Sequence, residues 1–222
     1  MNTHYVRKGV HYIMRNSQLE KVIKNYIRNN YKEYILVGLL FLIGIFIGVM
    51  IINNCKEAQI TEISTYISNF IAKFKGIENI NTTDLIIKSI KNNIILAMII
   101  WLAGTTVIGI PIVFISIIFR GIVLGYTISS FTITLGMGKG IAFCIISIFL
   151  QNLLFLPAIL TLGVSSIKLY KSIIKDKRKE NIKIGIIRHT IISILMVIIL
   201  VLSSIIENTI SLNILRKLIK YF

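Results

Sequence analysis

The chain has 222 residues, of which 55% are hydrophobic, and a formal net charge of +16. Its mean hydropathy of +0.80 is too high for an ordinary water-soluble domain and places it in the helical membrane class. The basic residues are concentrated beside apolar stretches, which argues against nucleic acid as the partner and favours cytoplasmic loops and anionic lipid headgroups.

The first segment, residues 1–33, is a basic arm with seven Lys/Arg against two acids. Ser17-Gln18-Leu19-Glu20 fits a capping box, in which the serine and glutamate side chains each accept a hydrogen bond from a backbone N–H. Apolar residues then recur at helical spacing, with basic residues on the opposite face. We predict an amphipathic helix that lies in the cytoplasmic interface of the membrane or packs on the protein's own loops.

The first membrane span is predicted at about residues 34–52, which carry no charge. Gly44 and Gly48 form a GxxxG spacing, which allows another helix to approach closely. Such a spacing is common in spans that contain glycine, so an intermolecular helix contact and no such contact both remain open.

Residues 53–93 are nearly balanced in charge and are predicted to form an extracytoplasmic loop. Within this loop, apolar side chains at steps of three and four predict an amphipathic helix. Its stripe must rest on the membrane surface, on the protein itself or on a partner. The stripe residues are the candidates for binding a partner: Ile60, Ile63, Ile67, Phe70, Ile71 and Phe74.

Residues 94–163 contain only two charged side chains, Arg120 and Lys139. A charge at the centre of a bilayer costs roughly 2.5–3.5 kcal/mol on insertion scales, and a helical span needs about 20 apolar residues. The segment is too long for one or two simple passes. We predict three passes, at about residues 94–118, 122–137 and 141–163.

The turn between the second and third spans has two candidate positions. A turn at Arg120-Gly121 leaves no charge within a span and is favoured for that reason; Pro111 would then kink the second span. A turn at Gly109-Ile110-Pro111 would place Arg120 inside the third pass. The next turn is predicted at residues 136–140, which contain three glycines.

A basic cytoplasmic loop at residues 164–184 is predicted to precede a fifth span at about 185–206 and a short tail at 207–222. Residues 164–190 carry eight Lys/Arg against two acids. The positive-inside rule places this loop and the N-terminal arm in the cytoplasm, which requires three passes between residues 93 and 164. The predicted fold is therefore all-α: a single transmembrane domain, 34–206, with five spans, a cytoplasmic N-terminus and an extracytoplasmic C-terminus.

The predicted spans contain no Asp or Glu, and the sequence has no nucleophile–base pair or metal-ligand spacing that would indicate a catalytic, cofactor or metal site. His4, His11 and His189 fall in basic segments and are interpreted as headgroup-level residues. Gln151 and Asn152 are adjacent amides inside the fourth span, where unsatisfied polar groups are costly. Helix packing, a partner contact and substrate binding are the alternatives for this pair, and the candidate hydrogen-bond partners are Thr105, Thr106, Ser129 and Ser130.

Several of these short motifs, in this order, resemble the family of stage II sporulation protein M. They are Ile108-Gly109-Ile110-Pro111, Arg120-Gly121, Gly125-Tyr126-Thr127, and Gln151-Asn152 followed by Pro157. The layout of arm, loop and spans is also similar, over roughly residues 20–206. Leu150 stands where the family commonly has Pro, and Arg120 where Lys is usual. We interpret the motif residues as helix-packing positions: Gly109, Pro111, Arg120, Gly121, Gly125, Gln151, Asn152 and Pro157.

The resemblance implies a non-enzymatic scaffold without a cofactor, in the mother-cell septal membrane of a sporulating cell. Members anchor the peptidoglycan-remodelling stage II sporulation proteins D and P during forespore engulfment. A composition dominated by Ile, Lys and Asn fits an AT-rich, spore-forming Firmicute. Further expected partners are anionic lipids and a second copy of the chain, with no nucleic acid. The alternative function is a permease-like or channel subunit in which Gln151 and Asn152 line a polar path.

Overall fold

The computed structural model of the chain describes residues 21, 24–76, 82–175, 179–206 and 208–209. The described part consists of helices and turns, without a strand. Residues 24–29 are helical, and the rest of the predicted interfacial helix lies outside the described residues. Six longer helices follow: α1 (Tyr31–Asn53), α2 (Glu57–Gly76), α3 (Thr82–Gly104), α4 (Ile110–Leu135), α5 (Met137–Lys175) and α6 (Lys179–Ile206).

Five of these helices, all except α2, are long and apolar enough to cross a membrane. This confirms the prediction of an all-α membrane protein with five spans. Their large apolar side chains divide into two sets. One set packs between the helices, around fully buried residues such as Val37, Val113 and Phe155. The other set, which includes Leu42 and Phe46, is exposed on the outside of the bundle, where lipid solvates it.

The turn between the second and third spans lies at residues 105–109, so the favoured position at Arg120-Gly121 is wrong and the alternative is correct. Pro111 lies in the first turn of α4, where its missing N–H costs nothing, and it does not kink a span. Gly109 is the N-cap residue of α4. Thr105 and Thr106 end α3 by donating their hydroxyls to the carbonyls of Leu102 and Ala103.

The second span begins about three turns earlier than predicted, because α3 starts at Thr82 rather than near residue 94. Its first turns carry Asp84, Lys88 and Lys91. The long lysine side chains can reach the polar headgroup region from a helix end. The connection between the first two spans is therefore shorter than the predicted loop 53–93. It contains α2 and the short connections on either side of it.

The turn between α4 and α5 consists of Gly136 alone, with φ +83°. A positive φ lies in the left-handed region that favours glycine, and it reverses the chain within one residue. Residues 137–140, which were predicted to belong to this turn, are helical. The predicted basic loop 164–184 is likewise mostly helical, because α5 continues to Lys175 and α6 starts at Lys179.

The two basic segments of the sequence meet at one end of the bundle. Lys171, near the end of α5, forms an ion pair with Glu33 at the start of α1. One turn earlier in α5, the Lys168 ammonium lies 5.0 Å from the ring centroid of Tyr26. The Gly136 turn and α2 are at the opposite end. Five crossings with both basic segments on one side satisfy the positive-inside rule when that side is cytoplasmic.

We expect reporter fusions to report residue 70 and residue 222 as extracytoplasmic and residue 175 as cytoplasmic. The basis is the charge bias of Lys/Arg next to the spans, which determines orientation. The measurement is the activity of an enzyme that folds only outside the cytoplasm, paired with a reporter that fluoresces only inside. An external residue 175 would contradict the orientation.

Candidate functional site

The α1–α4 contact is a crossing of two glycine pairs. Gly44 and Gly48 of α1 face Gly121 and Gly125 of α4. A Cβ added at Gly44 would lie 2.2 Å from the Ile118 carbonyl oxygen. Additions at Gly121 and Gly125 would lie 2.3 Å and 2.1 Å from backbone oxygens of α1. The two backbones therefore touch, and the GxxxG of α1 pairs within the chain with the motif glycines of α4.

Arg120 lies about ten residues into the 26-residue helix α4 and therefore close to the middle of a span. Its guanidinium is 4.1 Å from the ring centroid of Phe155 on α5, a side chain with no exposed surface. A desolvated cation–π contact is worth about 2 kcal/mol or more, which offsets a large part of the cost of a charge in hydrocarbon. Asn152, three residues before Phe155, lies on the same face of α5. Two motif positions therefore lie near the same face of α5.

The remaining motif residues lie in other parts of the fold. Gly109 is at the α3–α4 turn, where an added Cβ would lie 2.0 Å from the Ala103 carbonyl oxygen. Pro157 is inside α5 and exposed on the outside of the bundle. The Gln151 side chain lies outside the described residues. The motif therefore marks a turn, a helix crossing and a half-buried cation rather than one binding site.

The hydroxyls proposed to bind Gln151 and Asn152 differ in their surroundings. Those of Thr105 and Thr106 bond to carbonyls of their own helix end. The Ser130 hydroxyl is buried and has no hydrogen-bond partner among the described atoms.

The amphipathic helix α2 rests on the protein, one of the three alternatives left open by the sequence. Ile67 and Ile71 are buried against Phe143 of α5, with Ile63 beside them. The Phe143 ring stacks on Phe131 of α4 at a centroid distance of 4.8 Å. Of the other candidate partner-binding residues, Ile60 is half-buried, Phe70 is 36% exposed, and the Phe74 side chain lies outside the described residues. Part of the stripe is thus already covered by the chain's own helices.

A groove of about 710 Å³ runs between α2, the end of α1 and the last turns of α4. Its polar wall comes from Gln59 and Glu62 of α2 and from Thr127 of α4. Tyr66 and Tyr126 contribute aromatic surface from the two sides. The sequence pattern predicted the stripe of α2, but it did not predict this groove, because the groove requires two spans that are distant in sequence.

A buried polar cluster joins α3, α5 and α6 at the opposite end of the bundle. His189 is 1% exposed, so its side chain is enclosed by the helices rather than exposed among the headgroups. Its Nδ1 is 2.9 Å from the Ser165 hydroxyl, and its Nε2 is 3.4 Å from the Trp101 carbonyl oxygen. The Trp101 indole N–H donates to Thr190 at 3.2 Å. The one sequence feature that could have indicated this cluster is the position of His189 directly before an apolar segment.

Close approach also explains Gly104 in this cluster, because an added Cβ would lie 2.4 Å from the Ser166 hydroxyl and 2.9 Å from His189 Nε2. Among the residues that the structure describes, no group of three His, Cys, Asp or Glu side chains is placed to hold a metal ion.

Replacing Gly44 by leucine should destabilise the protein, whereas the same change at Gly38 of the same helix should have little effect. The Gly44 side chain would meet backbone, which rotamer changes cannot relieve, whereas nothing lies within 4 Å of a Cβ at Gly38. Overpacking costs typically about 1–3 kcal/mol, and we expect the upper end of that range. The measurement is the free energy of unfolding in mixed micelles. Equal stability of the two variants would contradict the glycine crossing.

The comparisons with known proteins give one match. The model of the family described as "SpoIIM: Stage II sporulation protein M" matches residues 37–212, which include most of the first span, the other four spans and the glycine crossing. No curated protein and no solved structure matches the chain. The matched residues make up well over half of the sequence. The chain is a sporulation-related multi-pass membrane protein and belongs to the stage II sporulation protein M family.

Proposed function

We propose that this protein is a non-catalytic membrane scaffold that anchors peptidoglycan-remodelling partners at the septal membrane of the mother cell during forespore engulfment. The partners are stage II sporulation proteins D and P, as the family resemblance implies. The observation that carries the proposal is the groove between α1, α2 and α4, at the end of the bundle opposite the basic segments. In the predicted orientation this end is extracytoplasmic, on the side of the membrane where peptidoglycan lies.

The groove has a fixed shape because α2 packs against the membrane-spanning helices. The burial of Ile67 and Ile71 against Phe143 anchors one face of the helix. The Thr134 hydroxyl of α4 lies 3.3 Å from the Ser64 hydroxyl of α2, within hydrogen-bond distance. A surface that is already ordered loses little conformational entropy when a partner binds, which favours affinity.

The lining of the groove has the composition of a protein-binding surface. Tyr66 is 74% exposed and, like Tyr126, offers a large rigid ring with a polar tip. Tyrosine is enriched among the residues that dominate binding energy at interfaces. Glu62 adds a negative charge, and Gln59, whose Oε1 accepts from the Lys56 N–H, adds an NH2 donor for a partner's backbone. The groove therefore suits a polypeptide segment that has apolar side chains and a basic residue.

Replacing Tyr66 by aspartate should reduce co-purification of proteins D and P from sporulating cells, while Ser68→Asp should leave it unchanged. The two residues lie about 200° apart around α2, so only the first change puts a charge into the groove. Loss of a dominant interface tyrosine costs about 2 kcal/mol, which is roughly 30-fold in affinity. The measurement is the amount of each partner recovered per mole of scaffold by affinity purification and mass spectrometry.

Both variants must insert and accumulate to the same level, since both changes are on exposed positions. Equal recovery of the partners with both variants would overturn the assignment of the groove.

The native Cys55 thiol offers a direct test, because it lines the groove while Cys144 is buried. A photoreactive maleimide attached to Cys55 should cross-link protein D or P on illumination. A second chain, carrying Cys55→Ser and Ser68→Cys, presents the same reagent on the other face of α2. Cross-linking from position 68 but not from position 55 would be inconsistent with the proposal. The products are read by mass and by antibodies against the partners.

A further inference from the structure

A second cavity, of about 240 Å³, lies between α5 and α6 at the end of the bundle where the basic segments meet. Lys168 of α5 and Arg188 of α6 bring one positive charge each to its rim, and Ser172 adds a hydroxyl. Leu169, Ile184 and Ile192 form apolar walls. The scaffold role uses none of these residues.

We propose that this cavity is a binding site for a phosphate group, presented by the headgroup of an anionic phospholipid. Phosphate oxygens accept hydrogen bonds from ammonium and guanidinium groups, and basic cavities between spans on the cytoplasmic side are suited to anionic headgroups. Lys168 contributes the point charge, Arg188 the bidentate donor and Ser172 the neutral donor. The proposal is independent of the partner-binding groove.

Among the described side chains, none forms an ion pair with Lys168 or Arg188. Glu33 is engaged by Lys171, and in the described part of the chain no carboxylate forms an ion pair with Arg188. Tyr26, whose ring lies under Lys168, is neutral at physiological pH, because burial raises the pKa of its hydroxyl to about 12. Glu33 acts on Lys168 only at longer range, so an anion that enters the cavity meets two cations that form no ion pair among the described side chains.

The buried polar cluster forms the floor of the cavity and holds it in shape. In the neutral form of His189, Nε2–H donates to the Trp101 carbonyl, so that Nδ1 accepts from the Ser165 hydroxyl. Ser165 thus donates away from the cavity, and phosphate donation falls to Lys168, Arg188 and Ser172. The cluster also ties α3 to α5 and α6, which keeps Arg188 aligned with Lys168.

Depth in the membrane favours a lipid over a soluble phosphate. Lys168 is about 10 Å along the helix from the end of α5, and Arg188 about 14 Å from the start of α6. Lys168 lies one turn from Lys171, which pairs with Glu33 near the start of the first candidate span. Below the cavity, Ile191, Ile194 and Ile198 are each more than half exposed on α6 and provide an apolar surface for acyl chains.

Gly185 keeps the cavity open. A Cβ added there would lie 3.0 Å from the Leu169 side chain and 3.7 Å from the Ser172 hydroxyl, so a larger side chain at this position would occupy the cavity. This position provides a variant that blocks the site sterically and preserves every charge.

Trp101 is the single tryptophan of the chain and contacts His189 and Thr190, next to the cavity. Its fluorescence therefore reports locally on bound lipid. The full chain is reconstituted into nanodiscs of phosphatidylcholine that contain a fraction of phosphatidylglycerol with brominated acyl chains, and quenching of Trp101 is measured. The comparison uses brominated phosphatidylcholine at the same fraction.

We expect brominated phosphatidylglycerol to quench Trp101 more strongly than brominated phosphatidylcholine. A juxtamembrane cation contributes about 1 kcal/mol, so Arg188→Gln should lower the relative binding constant about fivefold. Gly185→Leu should remove the preference without a change in charge. The matched control is Lys183→Gln, which removes one charge from an exposed position on α6 outside the cavity.

Inorganic phosphate added to nanodiscs of pure phosphatidylcholine distinguishes the two sources of the phosphate group. A change in Trp101 emission that Arg188→Gln abolishes, without any preference for phosphatidylglycerol, would support the phosphate site and reject the lipid as its source. If brominated phosphatidylglycerol is not preferred and inorganic phosphate does not change Trp101 emission, the proposal is overturned. It is also overturned if Lys183→Gln and Arg188→Gln reduce the lipid preference equally, because the response is then general surface electrostatics.

Discussion

The direct backbone contact between α1 and α4 is the constraint on which the rest of the bundle depends. Lipid tails are as apolar as leucine, so helices in a bilayer do not associate by the hydrophobic effect and need close van der Waals packing. Gly44, Gly48, Gly121 and Gly125 supply it by removing every side chain from the crossing. With α1 held there, Arg120, next to Gly121, lies over Phe155 of α5.

The same crossing creates the outer surface of the protein. The last turns of α1 lie beside Tyr126 and Thr127 of α4, and α2 covers the gap between them and α5. The groove is thus a consequence of helix packing in the bilayer. Substitutions at the crossing would disturb both the stability of the bundle and the shape of the proposed partner site.

The sequence predicts the number of spans well, because depletion of charge is a property of each segment by itself, but it misplaces the second and third spans. It fails at Arg120 because the energy that makes this arginine tolerable comes from Phe155, on another helix. Avoiding a charge in a span is a sound rule only where no such partner exists. Pro111 indicated the position of this turn better than Arg120 did, because proline is well suited to the first turn of a helix.

The candidate sites also depend on contacts between helices, which the sequence does not reveal. A period of three and four residues identifies the apolar face of α2, but it cannot tell whether Phe143 or another molecule covers that face. His189 contacts residues of α3 and α5, and such contacts leave no local pattern. The predicted orientation is different, because it depends only on the number of Lys and Arg residues in each loop, which the sequence gives directly. The Glu33–Lys171 ion pair supports it by showing that the two basic segments lie at the same end of the bundle.

The length of α5 has a further consequence for how the protein sits in its membrane. Lys139 and Lys171, near its two ends, are separated by a rise of about 48 Å, against about 40–45 Å for a bilayer including its headgroups. One helix therefore spans the full thickness with little excess, and it carries the Phe143 contact at one end and Lys168 at the other. In a thinner bilayer α5 must tilt or the bilayer must thicken locally, and either costs fractions of a kcal/mol per Å of mismatch. The groove and the basic rim of the second cavity are thus held apart by about one membrane thickness.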